Sequence, residues 1–147
     1  MREIKFRGKC QRGYDYSNGD GWIYGSMLCK NGQYAIVRTE DIDLGAQTDD
    51  GISTFYDFGC IPVIAETVGQ FTGLKDENGK EIYEGDIVKN KNANSDAYYE
   101  ISIVGWHKNI CGFTVLFESI GQNKMLGMYD SIEIIGNIHD NPELLNQ

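Results

Sequence analysis

The sequence predicts an all-β protein made of antiparallel strands and hairpins. No segment carries an apolar stripe that repeats every 3.6 residues over several turns, which argues against long amphipathic helices. Two dipeptides, Asn31-Gly32 and Asn78-Gly79, each lie between runs of apolar and aromatic residues, and Asn-Gly favours the type I′ turn of a β-hairpin. Eighteen glycines and nine tyrosines against two prolines are typical of aromatic-rich strands joined by tight turns.

The first predicted strand lies at the start of the chain, where apolar and basic side chains alternate. The apolar members are Ile4, Phe6 and Cys10, and the basic members are Lys5, Arg7 and Lys9. A period of two predicts a strand with one apolar face and one basic face. Glycine and aspartate in residues 13–21 then predict a loop.

A hairpin follows, in which residues 22–29 and 33–38 form the strands and Asn31-Gly32 forms the turn. The acidic residues 39–53 are predicted to be a loop, and further short strands are expected between residues 52 and 64.

Residues 66–88 predict a compact hairpin that leads into a buried strand. The turn is placed at Asn78-Gly79, and Gly85-Asp86 interrupts the second run before the apolar pair Ile87-Val88. A Gly-Asp corner before a valine-rich strand is common in small SH3-like barrels, so by analogy we expect such a barrel in the C-terminal half.

The remaining chain predicts one exposed loop and more antiparallel strands. Residues 90–97 are polar without periodicity and are expected to form the loop. Residues 98–106 and 112–117 predict a further pair, and residues 132–138 the last strand.

The chain is predicted to close with a short helical turn and to divide into two lobes. Asn141 is the expected N-cap of the turn, and Pro142 its first residue. The length of 147 residues suits two small β modules or one ordinary domain. We expect an N-terminal β lobe at 1–65 and a barrel-like lobe at 66–147, with a single compact domain as the alternative.

Composition excludes several classes of protein. Hydrophobic residues make up 41% of the chain, which argues against disorder, and no apolar run approaches the roughly 20 residues of a membrane span. The first nine residues lack the apolar segment of a secretory signal, so a cytoplasmic location is expected. The scattered cysteines are then expected to be reduced and to pack as small apolar residues; they are Cys10, Cys29, Cys60 and Cys111.

The net charge of −9 is unevenly distributed, and the basic residues concentrate at the start. The predicted basic face of Lys5, Arg7 and Lys9 is the candidate nucleic-acid site, with Trp22 or Tyr24 available to stack on bases. The alternative role for this face is to protect a sheet edge with charge.

Few residues occur in a pattern that is typical of a metal site or a catalytic site. His107 and Cys111 have the spacing of two zinc ligands, but no second close pair completes a site. His139 and Asp140 resemble a base with its orienting acid, and the simpler reading assigns Asp140 to a turn. The acids at 76–77 and 49–50 lack the ligand spacing of a calcium loop. We therefore expect no metal, no cofactor and no catalytic residue.

Three segments resemble the YopX family of phage and prophage proteins. They are residues 5–9 (KFRGK), the central stretch 67–88 (TVGQFTGLKD followed by NGKEIYEGDIV) and residues 136–145 (GNIHDNPELL). Ala65 stands where the family usually has proline, and Phe71 where it has tyrosine. The resemblance implies a mostly β phage-encoded protein with a barrel-like C-terminal half, and it supplies no established activity or catalytic residues.

The predicted function is a non-enzymatic accessory role that works through protein–protein contact. Short strands with open edges and many aromatic residues favour self-association, and a host or phage protein is the other expected partner. Two alternatives remain: nucleic-acid binding through the basic strand, and imitation of DNA by an acidic surface that occupies a host protein.

Overall fold

A computed structural model describes residues 1–11, 19–38, 60–117 and 121–146. The chain divides into two compact units, one formed essentially by residues 3–70 and the other by residues 71–147. Within the described residues, both are built from antiparallel strands and short 3-10 helices, which confirms the predicted all-β class. The predicted acidic loop at 39–53 lies outside the described residues.

Four strands of the described part of the first unit pair in one sheet, which continues into the strand Gly69–Lys75. They are β1 (Phe6–Lys9), β2 (Trp22–Lys30), β3 (Gln33–Arg38) and β4 (Cys60–Val63), and they pair in the order β4-β3-β2-β1. The predicted hairpin turn at residues 31–32 is confirmed, because Lys30 pairs with Gln33 and both Asn31 (φ 53°) and Gly32 (φ 77°) adopt positive φ.

The core of the first unit lies on one face of this sheet. Ile23, Ile36, Ile61 and Val63 are almost completely buried there, and Phe6 and Tyr34 pack against them. An isolated antiparallel bridge joins Cys10 to Val63, so the end of β1 also contacts β4. The alternation of apolar residues in the sequence therefore predicts correctly which side chains of β1 face the core.

Eight further strands belong wholly or partly to the second unit. They are β5 (Gly69–Lys75), β6 (Glu81–Tyr83), β7 (Asp86–Asn90), β8 (Ile101–Ile103), β9 (Gly105–His107), β10 (Gly112–Phe117), β11 (Gln122–Met125) and β12 (Ile132–Asn137). Strand β5 starts in the first unit, where Gly69 and Gln70 pair with β1, and then pairs with β6. Two three-stranded sheets follow, in the orders β11-β10-β9 and β12-β7-β8. Neither is closed within the described residues, so the predicted SH3-like barrel is not confirmed.

The second unit has its own apolar core. Val88, Val104, Val115 and Phe117 are at most 1% exposed, and the ring of Tyr129 meets Phe117 edge-on at 5.2 Å. Edge-to-face packing of this kind stabilises aromatic cores beyond the area that they bury.

The central hairpin is present, but its turn is not of the predicted type. Gly79 has φ 81°, whereas Asn78 keeps an ordinary negative φ. The loop runs from Asp76 to Lys80, because the backbone amide of Asp76 donates to the Lys80 carbonyl (2.8 Å) and the Gly79 amide donates to the Asp76 carbonyl (2.9 Å). The side chain of Asp76 organises this longer loop, and Asn-Gly alone does not specify that.

The polar segment 90–97 is less exposed than predicted. It forms turns, as expected, yet Asn90 and Ala97 are completely buried. The amide side chain of Asn90 makes burial tolerable, because its oxygen accepts from the Asn92 amide (3.0 Å) and its nitrogen donates to Ser95 Oγ (3.0 Å).

Two features near the C-terminus complete the comparison. The short helical turn is confirmed as a 3-10 helix over Pro142–Asn146. The Asn141 side chain lies within 3.4 Å of the Asn137 amide, instead of serving as a simple N-cap.

Across the residues that the structure describes, no helix is both long enough and apolar enough to cross a membrane.

Candidate functional site

The basic side chains of β1 lie on the face of the sheet opposite the first core. Register pairs Lys9 with Trp22 and Arg7 with Tyr24, so these four side chains share that face. The Arg7 guanidinium lies 4.7 Å from the centre of the Trp22 ring, and Lys9 Nζ lies 5.5 Å from it. Both cations are therefore within the range of cation–π attraction to one indole.

This packing gives the predicted nucleic-acid residues unequal exposure. Arg7 is 5% exposed and Trp22 is 6% exposed, whereas Lys9 is half-buried and Tyr24 is 42% exposed. Lys5 lies 3.3 Å from Glu3 in an ion pair. The contribution of these residues to nucleic-acid binding stays a prediction, and Tyr24 is the most exposed of these side chains.

A groove of about 510 Å³ lies at the end of the β2–β3 hairpin, within the first unit. Leu28, Ala35 and Pro62 form one cross-strand row, because Leu28 pairs with Ala35 and Ala35 pairs with Pro62. This row gives the groove an apolar floor. The next pair on the same face, Lys30 with Gln33, forms a polar edge.

Cys29 and Tyr34 pair in register at the same end of the hairpin, and because side chains alternate along a strand, theirs lie on the face opposite Leu28, Ala35 and Pro62. The Cys29 thiol is exposed and reduced. A hydrogen bond with the Cys29 side chain, together with repulsion from the negative charge of its thiolate form, raises the pKa of the Tyr34 hydroxyl above its usual value of 10.0. The tyrosine is therefore a neutral hydrogen-bonding group at physiological pH.

His139 and Asp140 are committed to a turn of the second unit. The side-chain oxygen of Asn137 accepts from the backbone amides of both residues, at 3.0 Å and 2.9 Å, and its amide nitrogen donates to Asp140 Oδ2 at 2.9 Å. This is the arrangement that the turn interpretation requires. Neither side chain lines the groove described above.

His107 and Cys111 bracket the tight turn between β9 and β10. The backbone amide of Cys111 donates to the His107 carbonyl (2.9 Å), and its thiol donates to the Lys108 carbonyl (3.2 Å). Cys111 adopts φ 53°, so the spacing of the pair serves a turn. Within the described ranges, no three His, Cys, Asp or Glu side chains come together as a metal site.

The acidic loop residue Asp76 is a structural acceptor. Its Oδ1 accepts from the amides of Asn78 and Lys80, each at 2.9 Å, and its Oδ2 accepts from the Ile134 amide at 3.1 Å. Burial by itself raises the pKa of this carboxyl, but the three backbone donors outweigh burial and hold the pKa below 3.8. The acids at 49–50, the other calcium candidate, lie outside the described residues.

The sheet β9-β10-β11 carries a large exposed apolar side chain on each strand. Trp106 is 51% exposed, Leu116 is 47% exposed and Met125 is 49% exposed. Register pairs Thr114 with Met125, so Met125 and Leu116 share the face opposite the core, whereas Trp106 pairs with the core residue Phe113.

Comparison with known proteins shows the family. A model of the YopX protein family matches residues 6–146, which is nearly the whole chain. The chain belongs to the YopX family. No curated protein matches it. Among solved structures, the YopX-family chain is similar to the crystal structure of protein EF1440 from Enterococcus faecalis, with 24% identity, 99% coverage of both chains and a TM-score of 0.48.

The segments that carry the YopX resemblance now have structural roles. The central stretch 67–88 spans β5, the Asp76 loop, β6 and the start of β7, and residues 136–145 span the end of β12 and the Asn137 turn. No short motif in the sequence predicts the groove, because the residues of the groove floor come from three different strands. The nearest hint was Lys30, a cation directly before the Asn31-Gly32 turn.

Proposed function

We propose that this YopX-family chain is a phage or prophage accessory protein that acts in the bacterial cytoplasm through protein–protein contact, without catalysis. We further propose that it self-associates. The exposed apolar pair Leu116 and Met125, on the outer face of the β9-β10-β11 sheet, is the observation that carries self-association.

Two properties of this sheet favour contact with another copy. Its outer strands β9 and β11 have no further strand partner within the described residues, so backbone groups along both edges can pair with another chain. Leu116 and Met125 are diagonal neighbours on adjacent strands, so two large exposed apolar side chains lie close together on one face. Methionine and large aliphatic side chains are typical of the buried centre of protein interfaces.

The non-enzymatic part of the proposal rests on the candidate catalytic groups. The Asp140 carboxylate accepts from the Asn137 side chain, and the backbone amide of His139 donates to the same side chain. A carboxylate that makes a turn hydrogen bond is poorly placed to orient a histidine or to move a proton to a substrate. This supports a binding role for the chain.

A barrel-like arrangement of the second unit is part of the same proposal. The backbone amide of Leu116 in β10 donates to Ser102 Oγ in β8 at 2.9 Å, so a hydrogen bond links the two three-stranded sheets. Nuclear Overhauser contacts between the backbones of β8 and β10 would support an SH3-like barrel. Contacts confined to each separate sheet would contradict it.

Replacing Leu116 by Glu tests self-association. We expect sedimentation equilibrium to detect a dimer of the wild-type chain, and we expect Leu116→Glu to weaken its dissociation constant by about tenfold or more, because the change buries a charge in an apolar contact. Leu145→Glu is the matched control, since Leu145 is 41% exposed and lies in the C-terminal 3-10 helix. A wild-type chain that remains monomeric at high concentration, or equal effects of the two variants, would refute the proposal.

Nucleic-acid binding through β1 is the second candidate, because the accessible Tyr24 shares a sheet face with Lys9. We expect Lys9→Glu to weaken binding to single-stranded DNA by about twofold to fivefold at low salt, since one phosphate contact is lost. Glu66→Gln, in the same unit, changes the net charge in the opposite direction and serves as control. Absence of salt-dependent DNA binding by the wild type would dismiss this candidate.

A further inference from the structure

We propose that the groove at the end of the β2–β3 hairpin binds a small organic anion, with an apolar body against Leu28, Ala35 and Pro62 and its negative group near Lys30. This site is separate from the self-association surface of the second unit. It rests on the shape, the charge and the chemistry of the residues that line the groove.

The size and floor of the groove suit a compact apolar group. A volume of about 510 Å³ lies within the range of about 300–1,000 Å³ that is usual for small-molecule sites. The floor is built from regular strand pairing, because Leu28, Ala35 and Pro62 occupy one row across β2, β3 and β4. Leu28 is 43% exposed, so a ligand there would remove substantial apolar surface from water.

The charge of the lining specifies the polar end of the ligand. Among the described residues that line the groove, Lys30 is the one charged side chain and none is acidic. In a chain with net charge −9, this is a locally favourable place for an anion. Lys30 is exposed and makes no ion pair with any described residue, so its charge is available to a ligand.

Hydrogen-bonding groups at the edge complete the site. Gln33 is exposed beside Lys30, on the sheet face that carries Leu28 and Ala35. Gln11 also lines the groove and donates its side-chain amide to the Val63 carbonyl at 3.2 Å. An apolar surface with a few polar groups and one cation is the usual composition of a site for small amphipathic anions.

The probe for the test is 8-anilinonaphthalene-1-sulfonate, which joins an apolar aromatic body to one negative charge. The neutral N-phenyl-1-naphthylamine has the same body without the sulfonate and is the matched ligand control. Gln33→Cys places a reporter thiol in the groove, because Gln33 is exposed and lies on the same sheet face as Leu28 and Ala35. Cys111 is also exposed and reduced but belongs to the second unit, so it reports binding elsewhere.

We expect the sulfonate probe to slow alkylation of the thiol introduced by Gln33→Cys at least threefold, measured by peptide mass spectrometry on the full chain with iodoacetamide, with the rate at Cys111 unchanged. In the same background, Lys30→Gln should weaken this protection by about twofold to fivefold, as expected for loss of one exposed charge contact. Lys80→Gln, at an exposed turn of the second unit, should leave it unchanged.

Three results would overturn the proposal. They are equal protection of the introduced thiol and Cys111, equal effects of Lys30→Gln and Lys80→Gln, and equal protection by the neutral compound. Circular dichroism of each variant verifies that the fold is retained, and Lys30 is exposed, so its replacement should not disturb folding. Loss of dimerisation by Leu116→Glu has no bearing on protection of the introduced thiol, which separates this test from that of the proposed function.

Discussion

Gly25→Ala is expected to lower the free energy of unfolding of the first unit by about 4 kcal/mol, a value that only severe backbone conflicts reach. Gly25 lies inside β2, where it pairs with Phe6 on one side and Arg38 on the other, and its φ is +155°. A Cβ atom there would lie 2.0 Å from the Val37 carbonyl oxygen. Because the obstacle is backbone in the centre of the sheet, no side-chain rotation can relieve it.

The measurement is urea denaturation followed by tryptophan fluorescence in a Trp106→Phe background, which leaves Trp22 of the first unit as the reporter. Gly32→Ala is the matched control. Gly32 also has positive φ (+77°), but a Cβ there meets nothing within 4 Å. We expect that variant to lose about 1 kcal/mol, from backbone conformation alone. Equal losses for the two variants would show that the close approach at Gly25 is not what requires glycine.

Asp76→Ala is expected to cost the second unit about 3 kcal/mol, because three backbone amides lose a charged acceptor in a site that is 8% exposed. Two of these amides belong to the loop itself, and the third, at Ile134, lies 58 residues away in β12. The variant should therefore loosen both the hairpin and its attachment to the second sheet. Hydrogen exchange at β7 and β12 measures the loss.

The pH dependence of Asp76 provides a second readout. The pKa of this carboxyl is depressed in the folded chain, so its contribution is fully present above the unfolded value of 3.8 and is lost as the pH falls through the lower folded pKa. The wild type should lose this stability below about pH 4, and Asp76→Ala should show a shallower acid dependence. Asp96→Ala, at an exposed carboxylate of the same unit, should change stability by less than about 0.5 kcal/mol. A wild-type acid slope in Asp76→Ala would contradict the assignment.

The sequence was most reliable where structure depends on neighbouring residues. The hairpin at Asn31-Gly32 formed as predicted, since two adjacent positive φ angles are a local requirement that this dipeptide meets. At Asn78-Gly79 the same signal predicted a hairpin correctly but the wrong turn, because the Asp76 carboxylate organises a longer loop. The sequence shows that Asp76 precedes the turn, but it does not show which backbone amides its carboxylate binds.

The basic face of β1 shows what alternation leaves undetermined. A period of two placed Arg7 and Lys9 on one face correctly, yet it gave no sign that the indole of Trp22, thirteen or more residues away, lies against both cations. Burial of Arg7 to 5% exposure follows from that pairing of two strands. Exposure is thus a property of the assembled sheet.

The amino-acid sequence by itself determined the all-β class, the tight turns, the family and the net charge, because turn chemistry, strand periodicity and composition act over a few residues or over the whole chain. Only the tertiary structure decided which distant side chains share a surface. The groove needs Leu28, Ala35 and Pro62 in one row, and the apolar pair Leu116 and Met125 needs the register of β10 with β11. The register between distant strands depends on which face of each strand the assembled core buries, and a few neighbouring residues do not specify it.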